Sequence, residues 1–178
     1  MIRGKLVDLR APEMSDLDRN TRWINDREVT QFLSLRYQMS LAAEEAWMRD
    51  LVSKPLSYDR PFFAIETRDG VHIGNTNLFN VRPAVRHAEL GIMVGEKEYW
   101  SRGYGSDALK TLLGFAFGEM NLNRVELFVY DFNARAQAAY RKCGFVEEGR
   151  RRQALYRRGA WHDLVVMSVL REEWASAG

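Results

Sequence analysis

Cysteine is all but missing. Cys143 stands alone in 178 residues, so no disulfide can form within the chain, and a reducing, cytoplasmic setting is expected. No apolar run approaches the length of a membrane span, and the opening Met1-Ile2-Arg3-Gly4 leads into a strand-like segment rather than a signal peptide, so no membrane partner is expected. The three histidines, His72, His87 and His162, have no zinc-like spacing with a cysteine, and no metal is expected. A net charge of +2 is too small to imply a nucleic-acid partner. Repeats, low-complexity tracts and interdomain linkers are also lacking. What remains is one domain over residues 1–178, 46% hydrophobic and 28% charged, long enough for a single sizeable core.

The chain is organised around residues 86–118, RHAELGIMVGEKEYWSRGYGSDALKTLLGFAFG. Ala88, Leu90, Ile92 and Val94 alternate as a strand. Tyr104, Ala108, Leu109, Leu112, Leu113 and Ala116 then repeat at helical spacing. Between them lies Arg102-Gly103-Tyr104-Gly105-Ser106. Two glycines at a helix start let unpaired backbone N–H groups and the helix dipole approach an anion, which makes this loop a candidate phosphate cradle.

The same loop satisfies the dinucleotide fingerprint G-x-G-x-x-A through Gly103, Gly105 and Ala108, with Glu126 at the acidic position. Its context fits that reading poorly. Residues 95–102 intervene between strand and glycines, Glu126 falls in mid-strand, and no repeating strand-helix-strand pattern surrounds the loop.

The remaining elements follow local rules. Residues 5–10 form a first strand, and helices cover 16–25 and 41–53, the second capped by Ser40 with Glu44 in its first turns. Strands at 61–67 and 71–81 flank Asp69-Gly70, a hairpin signal, and a turn at Arg82-Pro83-Ala84 leads into the strand before the glycine loop, giving an antiparallel meander. Beyond it come a strand at 124–130, a short helix capped by Asn133 and closed by Cys143-Gly144, and a hairpin of 145–156 and 160–170. The arginines at 150–152, 157 and 158 read as the solvated face of that hairpin. Cys143, on an apolar helix face, reads as packing. Trp161 and Trp174 are candidate partner-surface aromatics.

The loop YWSRGYGSDAL (99–109), the stretch NARAQAAYRKCGF (133–145) and the order of elements resemble the GNAT superfamily of N-acetyltransferases over nearly the whole chain. The opening LVDLRAPEMSDLDRNTRWINDREV (6–29) and Tyr99-Trp100 are most similar to the branch holding ribosomal-protein N-terminal acetyltransferases and spermidine N-acetyltransferases. The resemblance implies a single-domain α/β (α+β) fold, with a mostly antiparallel, splayed sheet of about seven strands flanked by about four helices and a cofactor-binding core near residues 86–145. It implies acetyl transfer from acetyl-CoA to a primary amine, on a protein N-terminus, a polyamine or another small amine, by direct attack in a ternary complex. A dimer or larger homo-oligomer is implied by the branch. Trp100 stands where the superfamily loop often carries Gln or Arg.

By the same resemblance, backbone groups of Ile92, Met93 and Val94 hold the pantetheine arm on a splayed strand edge, with an N–H near Met93 facing the thioester oxygen as charge develops there. Ser101, Arg102, Gly103, Tyr104, Gly105 and Ser106 wrap the pyrophosphate, Arg102 adding charge, and Asn133 bonds the cofactor's arm. Helix spacing alone makes Tyr140 a core tyrosine; within the resemblance it is the general acid, because a phenol of pKa about 10 is protonated at neutral pH and can donate to a departing thiolate. Glu89 is the candidate general base, and reads equally as a solvated carboxylate or a partner of Arg86 or Arg124. Two other classes stay open, a non-catalytic acyl-CoA sensor and a dinucleotide-binding oxidoreductase.

Overall fold

The computed structural model describes residues 1–55 and 57–176. In chain order its elements are β1 (Ile2–Arg3), β2 (Val7–Arg10), α1 (Leu17–Asn25), α2 (Arg27–Thr30), α3 (Leu41–Ser53), β3 (Phe62–Thr67), β4 (His72–Arg82), β5 (His87–Val94), α4 (Tyr104–Gly118), β6 (Arg124–Tyr130), α5 (Ala134–Lys142), β7 (Val146–Arg157), β8 (Ala160–Leu170) and α6 (Arg171–Ser176). The strands form one sheet in the order β1-β2-β3-β4-β5-β6-β8-β7. Among the described residues only β5 and β6 run parallel; the other pairs are antiparallel. None of the described helices is long and apolar enough to cross a membrane.

The described residues hold eight strands where about seven are expected, because Ile2–Arg3 forms a further short strand antiparallel to β2, ahead of the expected first one. Gly4 has no room for a Cβ, which would lie 2.4 Å from Thr111 Oγ1 and 2.6 Å from Asp107 Oδ2. There the chain turns, and the Asp107 carboxylate accepts the N–H groups of Lys5, Leu6 and Val7 at 3.2, 2.7 and 3.0 Å. Two short helices join the expected four. Asp26 caps α2 by accepting the Glu28 N–H at 2.8 Å, and α6 lays Trp174 against Phe117, 6.2 Å between centroids, so Trp174 is packing rather than partner surface.

The feature that positions the site is a parting of the sheet. β5 and β6 pair only over His87–Arg124, Ala88–Val125 and Glu89–Glu126, after which they separate. Antiparallel ladders alternate hydrogen-bonded and non-bonded pairs. The Gly95 N–H to Ile73 carbonyl bond, 2.8 Å, fixes that alternation on the β4 side. Asn75–Met93 and Asn77–Gly91 are therefore the bonded pairs, and the backbone groups of Ile92 and Val94 turn toward the gap.

Side chains alternate likewise. Val94 faces α4, since a Cβ on Gly105 would meet its Cγ2 at 3.5 Å, whereas Gly95 abuts the Trp23 ring of α1 on the opposite face. The core lies under α4, whose Ala108, Leu109, Leu112, Leu113 and Ala116 are buried against Leu78, Ala88, Val125 and Leu127. Each such leucine contributes about 2 kcal/mol of burial.

Candidate active site

A groove of about 820 Å³ passes through the parting between β5 and β6. On the α4 side it is walled by Ile92, Val94, Trp100, Ser101, Gly103, Gly105 and Ser106, and by Asn133, Arg135, Ala136, Ala139 and Tyr140 from α5 and the turn before it. On the other face lie Glu89, Phe79, Phe128 and Tyr130, with Phe32 and Leu33 from the segment after α2.

The strand edge supplies backbone groups. The Val94 carbonyl is taken by the Trp100 indole N–H at 2.7 Å, which leaves the N–H and carbonyl of Ile92 and the N–H of Val94 facing the gap. The N–H groups near Met93 that face the gap are thus those of Ile92 and Val94; the Met93 N–H itself belongs to the bonded pair with Asn75, and its side chain lines the groove.

The helix N-terminus supplies an anion site. Gly103, the residue before the first turn of α4, has φ +90°, a left-handed conformation that favours glycine. It brings no side-chain cap, and Asp107, the acid of the first turn, is spent on the N–H groups of Lys5, Leu6 and Val7. The first N–H groups of α4 and its dipole therefore remain for an anion.

Two of the loop residues expected there do not line the groove. The Arg102 guanidinium donates to the Glu98 carbonyl at 3.2 Å and lies 5.8 and 5.9 Å from the Tyr99 and Tyr104 ring centres. Tyr104 packs edge-on against Tyr99 at 4.9 Å. Two cations do line the groove, Lys142 and Arg135; the Arg135 guanidinium sits 3.9 Å from the Trp100 ring centre and 5.6 Å from that of Phe32, and its pKa is lowered by burial. Sequence reasoning passed over Arg135. Its signal was its place just inside α5, beside the Asn133 cap.

Asn133 is buried, and its Oδ1 accepts the Ala136 N–H at 3.2 Å, so the cap leaves only the amide N–H groups for other partners. Tyr140 lies lower on the same helix, 5.8 Å from Phe145 between ring centres. Burial, with the Cys143 thiol adding, pushes its phenol up to about 12. Its hydroxyl has no hydrogen-bond partner among the described residues. Cys143 is buried, its Sγ 3.5 Å from the Ser106 carbonyl, and burial raises its thiol, which suits packing and not nucleophilic attack.

Glu89 is half-buried where the strands part and accepts the Asn80 amide at 2.9 Å. Neither arginine considered for it is its partner. Arg86 points at the amides of Asn121 and Asn123, both at 3.5 Å, and Arg124 binds Glu126 at 2.9 Å and Glu148 at 2.5 Å. Glu126, the acidic residue a dinucleotide fold would need, is held by Arg124 and lies 3.3 Å from His87. The hairpin arginines are not uniformly solvated. Arg157 donates to the carbonyls of Thr30, Gln31, Leu33 and Leu35 at 2.9, 2.7, 3.0 and 3.0 Å, tying down the segment that carries Phe32.

Among the described residues no three His, Cys, Asp or Glu side chains converge as metal ligands would. What the groove combines is an unpaired strand edge, a helix N-terminus with a nearby cation, a carboxylate and a phenol. That set can hold a long thioester-bearing anion, accept a proton on one face and donate one on the other.

Residues 7–146 match the family model described as an acetyltransferase (GNAT) domain. YdaF of Bacillus subtilis, provisionally named a ribosomal N-acetyltransferase, is 38% identical over 106 residues, which are 60% of this chain and 57% of that protein. The spermidine N(1)-acetyltransferase of Vibrio cholerae is 28% identical over 112 residues, 63% of this chain and 64% of that one. Thus the chain spans less than two thirds of either relative in the aligned stretch. The crystal structure of spermidine N-acetyltransferase from Vibrio cholerae in complex with CoA and spermine shares the fold, with a TM-score of 0.85 at 24% identity over 96% of this chain and 98% of that one.

Proposed function

The chain belongs to the GNAT acetyltransferase family, and from that premise we propose that it moves the acetyl group of acetyl-CoA to a primary amine by direct attack in a ternary complex. The observation that carries the reading is the parting of β5 from β6 beyond Glu89, which opens the Ile92 and Val94 backbone beside the N-terminus of α4.

Acetyl-CoA supplies an acetyl group activated as a thioester. The chain's own residues do the rest. The first N–H groups of α4, with Gly103, Gly105, Ser101 and Ser106 around them and Arg135 nearby, bind phosphate charge. The Ile92 and Val94 backbone holds the arm as a neighbouring strand would, and an N–H on that edge stabilises charge on the thioester oxygen. Glu89, from the opposite face, takes the proton that a neutral, attacking amine must lose. Tyr140 donates to the departing sulfur, and its raised pKa keeps it protonated throughout the neutral range.

The same reading carries a cytoplasmic location and a dimer or larger assembly. Supporting the latter, the outer strand β7 leaves Val146 and Tyr156 exposed, with exposed Trp161 of β8 tilted against Tyr156 at 5.1 Å between ring centres.

The test is initial-rate kinetics of thiol release with acetyl-CoA and amine both varied. Direct attack gives intersecting double-reciprocal lines and no acetyl-enzyme by mass spectrometry. Parallel lines with an acetylated protein overturn it, and acetyl-CoA binding without turnover on any amine points to an acyl-CoA sensor instead.

A further inference from the structure

The acceptor side of the groove differs in chemistry from the cofactor side. It is the face on which Glu89 stands opposite Phe79 in register, with Gly91 two residues along the strand from Glu89, continued across the parting by Phe128 and closed by Phe32, Leu33 and Leu155. Among the described residues that line the groove, Glu89 is the single carboxylate. Other acids near this face are engaged: Glu126 and Glu148 by Arg124, and Glu147 by Arg141 and Arg150. Cations stand beside the same face: the Arg151 guanidinium lies over the Phe128 ring at 4.5 Å and that of Arg135 over the Phe32 ring at 5.6 Å.

From this geometry we propose that the acceptor is a single primary amine carried on an aromatic or aliphatic skeleton, with no second cation near it. The proposal rests on the acetyltransferase reading and names the substrate class of the same site. One ammonium group can meet Glu89, whose carboxylate is steadied by Asn80, and the skeleton behind it lies against Phe79, Phe128 and Leu155. Burying that skeleton is favourable in proportion to the apolar area covered. A polyamine gains less there. Only one of its ammonium groups finds a carboxylate, and the others enter an aromatic-walled space beside Arg151, where an unpaired charge is costly to desolvate. The aromatic walls could hold one cation by its attraction to a ring face, but Arg151 already occupies that position over Phe128.

The experiment compares phenethylamine, a tripeptide with an N-terminal phenylalanine and spermidine as acceptors in thiol release, and measures their binding to the protein with CoA by calorimetry. The expected result is a kcat/KM for phenethylamine or the peptide about a hundredfold above that for spermidine, the better of the two showing whether the skeleton is free or part of a chain. Phe79→Glu, which sets a second carboxylate opposite Glu89, narrows the gap. Spermidine equal to or better than both monoamines, in turnover or in binding, overturns the proposal. Binding of phenethylamine in preference to spermidine without turnover supports it and counts against the catalytic reading. Binding of neither monoamine while acetyl-CoA binds overturns it, and failure of acetyl-CoA to bind overturns the acetyltransferase reading.

Discussion

The Arg135 guanidinium lies 3.9 Å from the centre of the Trp100 ring, and the same indole donates its N–H to the Val94 carbonyl at 2.7 Å. One tryptophan thus closes the end of the open strand edge and seats a cation next to the N-terminus of α4. Where related loops often carry Gln or Arg, this chain places a platform, and the charge arrives from another helix.

Arg135→Ala therefore raises the KM for acetyl-CoA about tenfold, the loss of one charge-assisted contact, while kcat stays within about twofold. Arg102→Ala, removing a guanidinium that faces Tyr99 and Tyr104, leaves both constants within about twofold. Steady-state kinetics with acetyl-CoA varied separates the two arginines.

Arg157 joins the hairpin to the segment after α2 through four carbonyls. Arg157→Met leaves those carbonyls to water and frees Phe32 and Leu33 from their wall of the groove. The expected result is an amine KM raised about tenfold with acetyl-CoA affinity unchanged, since the segment borders the acceptor face. Hydrogen exchange of residues 30–35 should quicken in parallel.

Acid stability is traced most clearly to Asp16 and Glu148. At Asp16 burial alone would raise the pKa, but hydrogen bonds from Arg10, His72 and the Glu13 N–H outweigh it and hold the carboxyl below the usual range. At Glu148, Arg124 and then Ser168 lower the carboxyl to about 2. Folded-state pKa values below the unfolded ones stabilise the fold above the unfolded pKa, about 4, and that stabilisation is lost as pH falls from about 5 toward 2. Asp16→Asn costs about 3 kcal/mol at neutral pH, because it breaks a buried pair, and flattens the acid limb of urea midpoints against pH.

The Asp107 carboxylate accepts three backbone N–H groups from the β1–β2 turn. Asp107→Ala strands them at the start of α4, and a loss of about 2 kcal/mol in unfolding free energy is expected from denaturant titration.

Much of this fold is legible because its signals are local. Asp69-Gly70 marks its hairpin, Ser40 and Asn133 cap their helices by accepting the N–H groups of Ala43 and Ala136, and Gly103 needs its left-handed φ whatever surrounds it. Glycine loop, asparagine and tyrosine all fall in the groove for the same reason. Arg135 and Arg157 are not legible that way. Each acts on a segment far away in the chain, Trp100 and residues 30–35 respectively, and no periodicity links such positions. Arg102 misleads because proximity in sequence to the helix start says nothing about which way a long side chain turns, and here the Tyr99 and Tyr104 rings draw it off. Which N–H near Met93 faces the gap is fixed only by the pairing with β4, since one residue along a strand reverses the direction of the N–H.

The most direct test is amine-dependent thiol release from acetyl-CoA by the wild-type protein and Tyr140→Phe, with acetyl-CoA affinity measured on both by calorimetry. The account predicts affinity within about twofold and a kcat lower by about a hundredfold or more in the variant, as removal of a general acid requires. Equal turnover by the two proteins would contradict it.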